Sequence, residues 1–391
     1  MYCFRLIDQS GIGIQHKGFR KRMSLVTFLT TTTTAGLATQ TARPRLFHAI
    51  TEGCQEHIGF AFDFDQNYIN ISSGDHSLSN HQPDKILTGE DRTLKLNGVE
   101  IEDTFAEGFP MYMTRLLITA TTRRWAEASA QESKGLGTTA VFCPTEAGIE
   151  GPRPTCLETP DGRPGVFLQI GHQNKEKVLR WMPIRIRHCI LSVPTTALFD
   201  AMPEELDLKP IEMKETPPYL FGDVYQEEIQ EYGRERYRIP LMGGWFKMPR
   251  RVNMVKGVAG GNFLILGETQ AAALAGAEAA VDGVLSVPKV WLPAVAGVFA
   301  SGSKPMDEYP WATTNHRFCS VIRDKVSDTL VPEGVGSVFE VVVNGLTTDS
   351  VMEAMKIGIR RAATVDGVVK ITAANYGGNL GPYKFHLREV L

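Results

Sequence analysis

Between residues 94 and 391, apolar positions fall into short runs separated by stretches of helical period, and the same order of runs occurs twice. In the first series, Arg115-Leu116-Leu117-Ile118-Thr119-Ala120 reads as a strand, Trp125 to Ser133 as a helix, and Thr139-Ala140-Val141-Phe142-Cys143 as a second strand. Gly165 to His172 follows as a strand, then a helical run, then Cys189-Ile190-Leu191-Ser192-Val193 as a strand. In the second series, Asn262-Phe263-Leu264-Ile265-Leu266 is a strand, the alanine-rich Ala271 to Val281 a helix, and Lys289-Val290-Trp291-Leu292 a strand. Val338 to Gly345, the helix Ser350 to Ala362 with Met352, Met355 and Ile359 on one face, and Gly367-Val368-Val369-Lys370-Ile371 complete it. Each half reads strand, helix, strand, strand, helix, strand. This is the split βαβ or ferredoxin-like arrangement, so the expected class is α+β, with duplicated lobes whose antiparallel sheets carry helices on one face. The other face is then free to pack on a second lobe or subunit, and clefts at such junctions are common ligand sites.

The expected organisation is an N-terminal extension over 1–93, a first lobe over 94–245 and a second over 246–391. Acidic residues with Pro203, Pro210, Pro217 and Pro218 predict a surface insertion at about 203–235. Residues 1–93 hold nine Lys or Arg, nine Asp or Glu and a threonine run, with no sustained period of 2 or 3.6, so little packed structure is expected there. Arg20-Lys21-Arg22 before Met23 to Leu29 has the outline of an export signal, with a weakly apolar core. The other reading is upstream sequence misread as coding. No methionine lies between Met23 and Met111, so a start near Leu94 needs a codon other than the usual one.

With 43% hydrophobic and 22% charged residues, the 391-residue chain has ordinary globular composition, and no apolar run is long enough to span a membrane. A net charge of -3 and the absence of a long Lys/Arg block give no basic surface for nucleic acid. Six cysteines scattered without a CxxC pair fit reduced thiols and a cytoplasmic setting.

Gly257-Val258-Ala259-Gly260-Gly261-Asn262 enters a strand and does not open a helix, so it lacks the context of a dinucleotide fingerprint, and no GxxxxGK[ST] occurs. Glu158 to Gly165 and Asn375 to Gly381 read as glycine-dependent turns. His316 with Cys319, and His188 with Cys189, have no second ligand pair at zinc spacing, so no metal is expected. Cys143, at a strand end before Pro144, reads either as a reactive thiol or as a small core residue, and no GxSxG elbow is present. In Ala300-Ser301-Gly302-Ser303-Lys304, Ser303 and Lys304 could orient an anionic ligand, or the lysine could simply be solvated.

Glu340 is the leading candidate for chemistry. It lies in Ser337-Val338-Phe339-Glu340-Val341-Val342-Val343-Asn344-Gly345, surrounded by apolar neighbours that disfavour its charged form and raise its pKa. A carboxyl that is protonated near neutral pH can donate to developing charge or exchange a proton. The competing reading is an outward-facing strand residue, because alternation sends Phe339, Val341 and Val343 to one face and Glu340 to the other.

From about Leu94 to Leu391 the chain resembles formylmethanofuran:tetrahydromethanopterin formyltransferase. The resemblance runs through Asn97 to Glu107, Cys143 to Ile149, Thr159 to Gly165, Phe199 to Pro203, Val258 to Phe263 and Asn344-Gly345-Leu346. It implies transfer of a formyl group between the furfurylamine nitrogen of a methanofuran-type carrier and a ring nitrogen of tetrahydromethanopterin, in one-carbon metabolism and without a tightly bound cofactor. It implies two ferredoxin-like lobes assembled as a homotetramer with the active site at a subunit contact. It also implies that Glu340 is catalytic, and it points to Asn262, Ser303, Lys304, Thr314, Asn315 and Asn344 as substrate-binding residues. The family begins where Leu94 stands, which favours the misplaced start. Val224 replaces a glycine of relatives, and Pro183 interrupts a helix that relatives continue. In methylotrophic bacteria, similar proteins belong to a formyltransferase/hydrolase complex, so a non-catalytic scaffold subunit is one alternative. A ferredoxin-like small-molecule sensor is the other.

Overall fold

A computed structural model of the chain describes residues 94–135, 144–302 and 315–391. The expectations for residues 1–93, for the strand over 139–143 and for Cys143, Ser303, Lys304 and Thr314 lie outside the described residues.

The described residues open on a hairpin of β1 (Leu94–Leu96) and β2 (Val99–Ile101), turned by Asn97 and Gly98 at φ 51° and 88°. An Asn-Gly pair suits this turn, because both central residues need positive φ. The first lobe runs β3 (Phe105–Thr119), α1 (Arg123–Lys134), β4 (Glu146–Ile149), β5 (Gly165–His172), α2 (Lys175–Arg185), a π-helical turn over Ile186–Leu191, and β6 (Ala197–Asp200). An arm follows, made of β7 (Lys209–Glu212), α3 (Pro217–Leu220), β8 (Glu227–Glu231), β9 (Arg234–Leu241) and β10 (Gly244–Pro249). The second lobe is β11 (Arg251–Gly267), α4 (Gln270–Val284), β12 (Val290–Trp291), β13 (Ser337–Gly345), α5 (Thr348–Ala362) and β14 (Val368–Thr372), closed by β15 (Tyr383–His386) and α6 (Leu387–Val390).

The two lobes share one antiparallel topology. Strand order is β4-β5-β3-β6 in the first and β12-β13-β11-β14 in the second. The long strands β3 and β11 pair from Thr114 opposite Met254 to Phe109 opposite Ala259, which joins the two sheets into one. A bulge interrupts β11 between Val258 and Gly261, and Gly260 sits there at φ 88°. A Cβ at Gly260 would stand 2.9 Å from the Glu107 carbonyl oxygen, so the glycine-rich run is strand geometry.

Each lobe has its own core between helices and sheet. In the second lobe, Val341 and Val343 of β13 pack with Ala277, Ala280 and Val284 of α4 and Val351, Met355 and Ile359 of α5. The capping box expected of such a helix start is present at α5: Thr347 Oγ1 accepts from the Ser350 N–H at 3.2 Å, and Ser350 Oγ accepts from the Thr347 N–H at 3.3 Å. A different surface, the helix-free face of the second lobe, is partly covered by the segment after residue 315. There Phe318, Val331 and Val335 pack on Leu264 and Leu266.

One expectation fails. Cys189 to Val193 is not a strand: Ile186–Leu191 is π-helical, and the strand is β6, starting at Ala197. Short apolar runs do not distinguish a buried helix from a strand. Pro183 also behaves differently from a helix stop. It lies in the last turn of α2, and the widened π turn begins directly after that helix, at Ile186.

Candidate active site

The chain places Glu340 on the helix-free face of β13, because Val341 and Val343 take the core face and alternation sends residues 340, 342 and 344 the other way. Upstream of β13 in sequence, Ala296 and Gly297 at φ 50° and 85° turn the chain so that Phe299 bridges to Glu340. The Phe299 N–H donates to the Glu340 carbonyl at 2.8 Å. Two residues further on, on the same side, the Ser301 hydroxyl donates to Glu340 Oε2 at 2.5 Å. Glu340 Oε1 has no partner among the described residues.

These groups line a cavity of about 120 Å³ with Leu264, Asn315, Phe318, Cys319 and Phe339. Burial raises the Glu340 pKa above the ordinary carboxylate value, and the Ser301 hydrogen bond offsets part of the rise. The result is a partly buried carboxyl disposed to keep its proton, with one oxygen held and the other free to donate. The Cys319 thiol is raised by burial too, which keeps it a thiol and not a nucleophilic thiolate.

The other candidate residues are distributed differently. Asn315 lines the Glu340 cavity. Asn262, opposite Val342 in the β11 to β13 register, uses its amide on backbone: Oδ1 accepts from the Ala374 N–H at 2.9 Å and Nδ2 donates to the Ala374 carbonyl at 3.1 Å. Asn344 is 1% exposed with both ends occupied; Oδ1 accepts from the Gly260 N–H at 3.1 Å, and Nδ2 donates to Glu146 Oε2 at 3.0 Å. What the Asn344 position presents is therefore the Glu146 carboxyl.

Glu146 was not singled out from sequence, although it lies within the Cys143 to Ile149 block. It projects from edge strand β4 of the first lobe to β13 of the second, and burial pushes its pKa up to about 7, with Asn344 opposing the rise. The seam continues along β4. Gly148 meets Trp291 so closely that a Cβ there would lie 2.4 Å from the indole ring. Glu150, 1% exposed, accepts from Arg115 Nε at 2.6 Å and Nη2 at 2.9 Å, from Gln169 Nε2 at 2.7 Å, and from the Lys289 N–H of the second lobe at 3.1 Å. Among the described residues no group of three or more His, Cys, Asp and Glu side chains converges as a metal site would require.

Two family models match in tandem. One, described as formylmethanofuran-tetrahydromethanopterin formyltransferase, covers residues 94–241, and one described as FTR, proximal lobe, covers residues 244–390. The chain belongs to this formyltransferase family. A formylmethanofuran–tetrahydromethanopterin formyltransferase of Methanocaldococcus jannaschii is 48% identical over 305 residues, spanning 76% of this chain and 99% of that protein. The enzyme of the same name from Methanosarcina acetivorans is 45% identical over 300 residues, 76% of this chain and all of its own length. In three dimensions the chain is similar to the formyltransferase of Methanosarcina barkeri, with a TM-score of 0.71 and 44% identity over 76% of this chain and 100% of that one. It is also similar to a chain of the formyltransferase/hydrolase complex of Methylorubrum extorquens, solved with methylofuran. That TM-score is 0.71, at 34% identity over 76% of this chain and 99% of that one.

Proposed function

We infer that the chain is a formyltransferase that moves a formyl group between a methanofuran-type carrier and a ring nitrogen of tetrahydromethanopterin, with Glu340 as its catalytic acid. Family membership at 43–48% identity supports the activity. The observation that supports the role of Glu340 is its partly buried carboxyl, which lines a cavity, is held through Oε2 by Ser301 and has no partner at Oε1 among the described residues.

The chemistry asks little of the protein. A pterin nitrogen attacks the formyl carbon, a C–N bond forms, and the carbonyl oxygen becomes an oxyanion. The C–N bond to the furfurylamine then breaks as that nitrogen gains a proton and the pterin nitrogen loses one. Both substrates can be bound at once, so no covalent enzyme intermediate is needed, and positioning with oxyanion stabilisation supplies most of the acceleration. The Glu340 O–H donates to the oxyanion or the leaving nitrogen, and the carboxylate so formed takes the proton from the attacking nitrogen. A cavity of about 120 Å³ admits the reacting group and not two whole substrates, whose remaining parts lie along the surface beyond it. Asn315 belongs to this cavity as a substrate-contacting residue, and Asn262 shapes its approach through Ala374. Ser303, Lys304 and Thr314 keep the substrate-binding roles that the resemblance gives them.

We also place the protein in the cytoplasm as a homotetramer, in a lineage able to join a formyltransferase/hydrolase assembly. Free Cys156, Cys189 and Cys319 support a reducing setting. No described helix is long and apolar enough to cross a membrane. Exposed Leu220, Phe221, Tyr225, Met242 and Trp245 on the arm offer apolar surface for a subunit contact. The similarity to the Methylorubrum complex supports the last point.

The test is formyl transfer from a formylated furfurylamine carrier to tetrahydromethanopterin, followed by the absorbance of the formylated pterin, with Glu340→Gln in parallel. Loss of about 100-fold or more in kcat is expected, the scale of removing a principal transition-state donor. Equal rates would remove Glu340 as the acid. Binding of pterin without turnover in the wild type would favour a scaffold or sensor.

A further inference from the structure

A second carboxyl stands on the same helix-free face as Glu340, and the transfer chemistry above does not use it. Glu340, Val342 and Asn344 share that face of β13, and Asn344 holds Glu146 Oε2 at 3.0 Å. Four residue steps along the strand carry the chain from Glu340 to Asn344, roughly 13 Å. Between them Val342 is only partly buried and forms an apolar floor. Glu146 is anchored through one oxygen. Its partner Asn344 is 1% exposed and is itself fixed by the Gly260 N–H at the β11 bulge. Its other oxygen, Oε1, has no partner among the described residues.

We propose that Glu146 reads the aminopyrimidinone edge of the pterin, its carboxylate accepting from the 2-amino group and N3–H while the reacting N5 lies toward Glu340. The inference rests on the transfer reaction proposed above, and it adds a specificity-determining residue on the opposite lobe. A tetrahydropterin is a nearly flat bicycle whose two adjacent N–H donors, N3–H and the 2-amino group, lie at the end of the pyrimidinone ring remote from the ring that carries N5. A carboxylate at one end of an apolar floor and an acid at the other match that polarity. The formylated carrier offers no such donor pair at fixed distance from its reacting amide. The raised pKa of Glu146 fits a carboxylate kept short of donors until a ligand supplies them. The reading also gives Asn344 a definite task, positioning Glu146 with no contact of its own to substrate.

The experiment measures initial rates with each substrate varied separately, for the wild-type chain, Glu146→Gln and Glu340→Gln. It is repeated with a tetrahydropterin lacking the 2-amino group. In Glu146→Gln the amide oxygen keeps the Asn344 bond and the NH2 turns to the ligand, so a donor stands where an acceptor is needed. The expected result is a KM for tetrahydromethanopterin raised about 10- to 100-fold, as for lost hydrogen bonds to a charged group. The carrier KM should be unchanged, and the variant should no longer distinguish the 2-deamino pterin from the parent. An unchanged pterin KM, or an equal rise for both substrates, overturns the proposal. If Glu146→Gln does not fold, the two pterins on the wild-type chain decide, since equal KM values there overturn it as well. Glu340→Gln should lower kcat and leave pterin KM in place. Full activity in that variant would refute the role of Glu340 without touching the Glu146 result.

Discussion

At the scale of single residues, burial gives the proposed site two carboxyls that hold their protons more tightly than in water. Burial raises the folded pKa of Glu340, so the protonated, donating form persists to higher pH than in a free carboxyl. In the proposed mechanism the acid form is the active one, so kcat should hold below the folded pKa and fall as pH rises through it. A kcat profile for the wild type with this alkaline limb, absent from the residual rate of Glu340→Gln, is the expected result. Glu146 carries the same sign into stability. Its pKa rises from 4.5 to about 7 on folding, so its contribution is fully present below pH 4.5 and is lost as pH climbs through about 7. At about 1.4 kcal/mol for each pH unit between those values, the ionised form costs roughly 3 kcal/mol. Glu146→Gln should therefore melt above the wild type at pH 8 and converge with it at pH 4, as read by calorimetry at both pH values. A third residue is strained for a different reason. Val224 is 85% exposed and sits at φ 69°, a region costly for a β-branched side chain. Val224→Gly should stabilise the protein by about 1 kcal/mol in urea titration, after the entropy of the added glycine is counted. The resemblance marks this position as one where a glycine is expected, and its positive φ is a physical reason for one.

At the scale of elements, legibility followed the range of the interaction. The strand Val338 to Gly345, the helix Ser350 to Ala362 and the strand Gly165 to His172 were all readable from periodicity, because each has one face committed to a core. Alternation also told which way Glu340 points. That outward face is compatible with the chemical role proposed for Glu340, since it is lined by Ser301 and Phe318 and not by bulk water alone. Cys189 to Val193 was misread because Ile190 and Leu191 are buried in either conformation. Glu146 was not legible at all, as its partner Asn344 is 198 residues away and the pair exists only across the seam. Gly148 follows the same logic, its requirement being set by Trp291. Gly148→Ala should push the indole off its seat and destabilise the protein by roughly 1–3 kcal/mol, the usual cost of overpacking. Thermal melts with near-ultraviolet circular dichroism on the Trp band would show it, and an unchanged melting temperature would mean that the seam has slack.

At the scale of the whole molecule, two lobes built on one plan act as a unit because their longest strands are zipped and their edges are stitched. β3 and β11 supply the zip, and Glu150 is the strongest stitch, gathering Arg115 and Gln169 of one lobe and the Lys289 N–H of the other. This geometry makes the distance between the Glu340 acid and the Glu146 carboxylate a property of the seam and not of either lobe. Glu150→Ala leaves the Arg115 guanidinium, 11% exposed, facing the vacated site, with the Ala201 carbonyl and the Phe167 ring as its remaining partners among the described residues. Breaking a buried pair from one side typically costs 3–5 kcal/mol, because the stranded charge remains. The urea midpoint should fall accordingly in one cooperative transition, since the β3 to β11 pairing remains intact. Catalysis should suffer even in the folded fraction, with the pterin KM rising as Glu146 loses its register against β13. Two separate transitions in the variant would show instead that Glu150 is what couples the lobes, and that the shared strand pair alone does not.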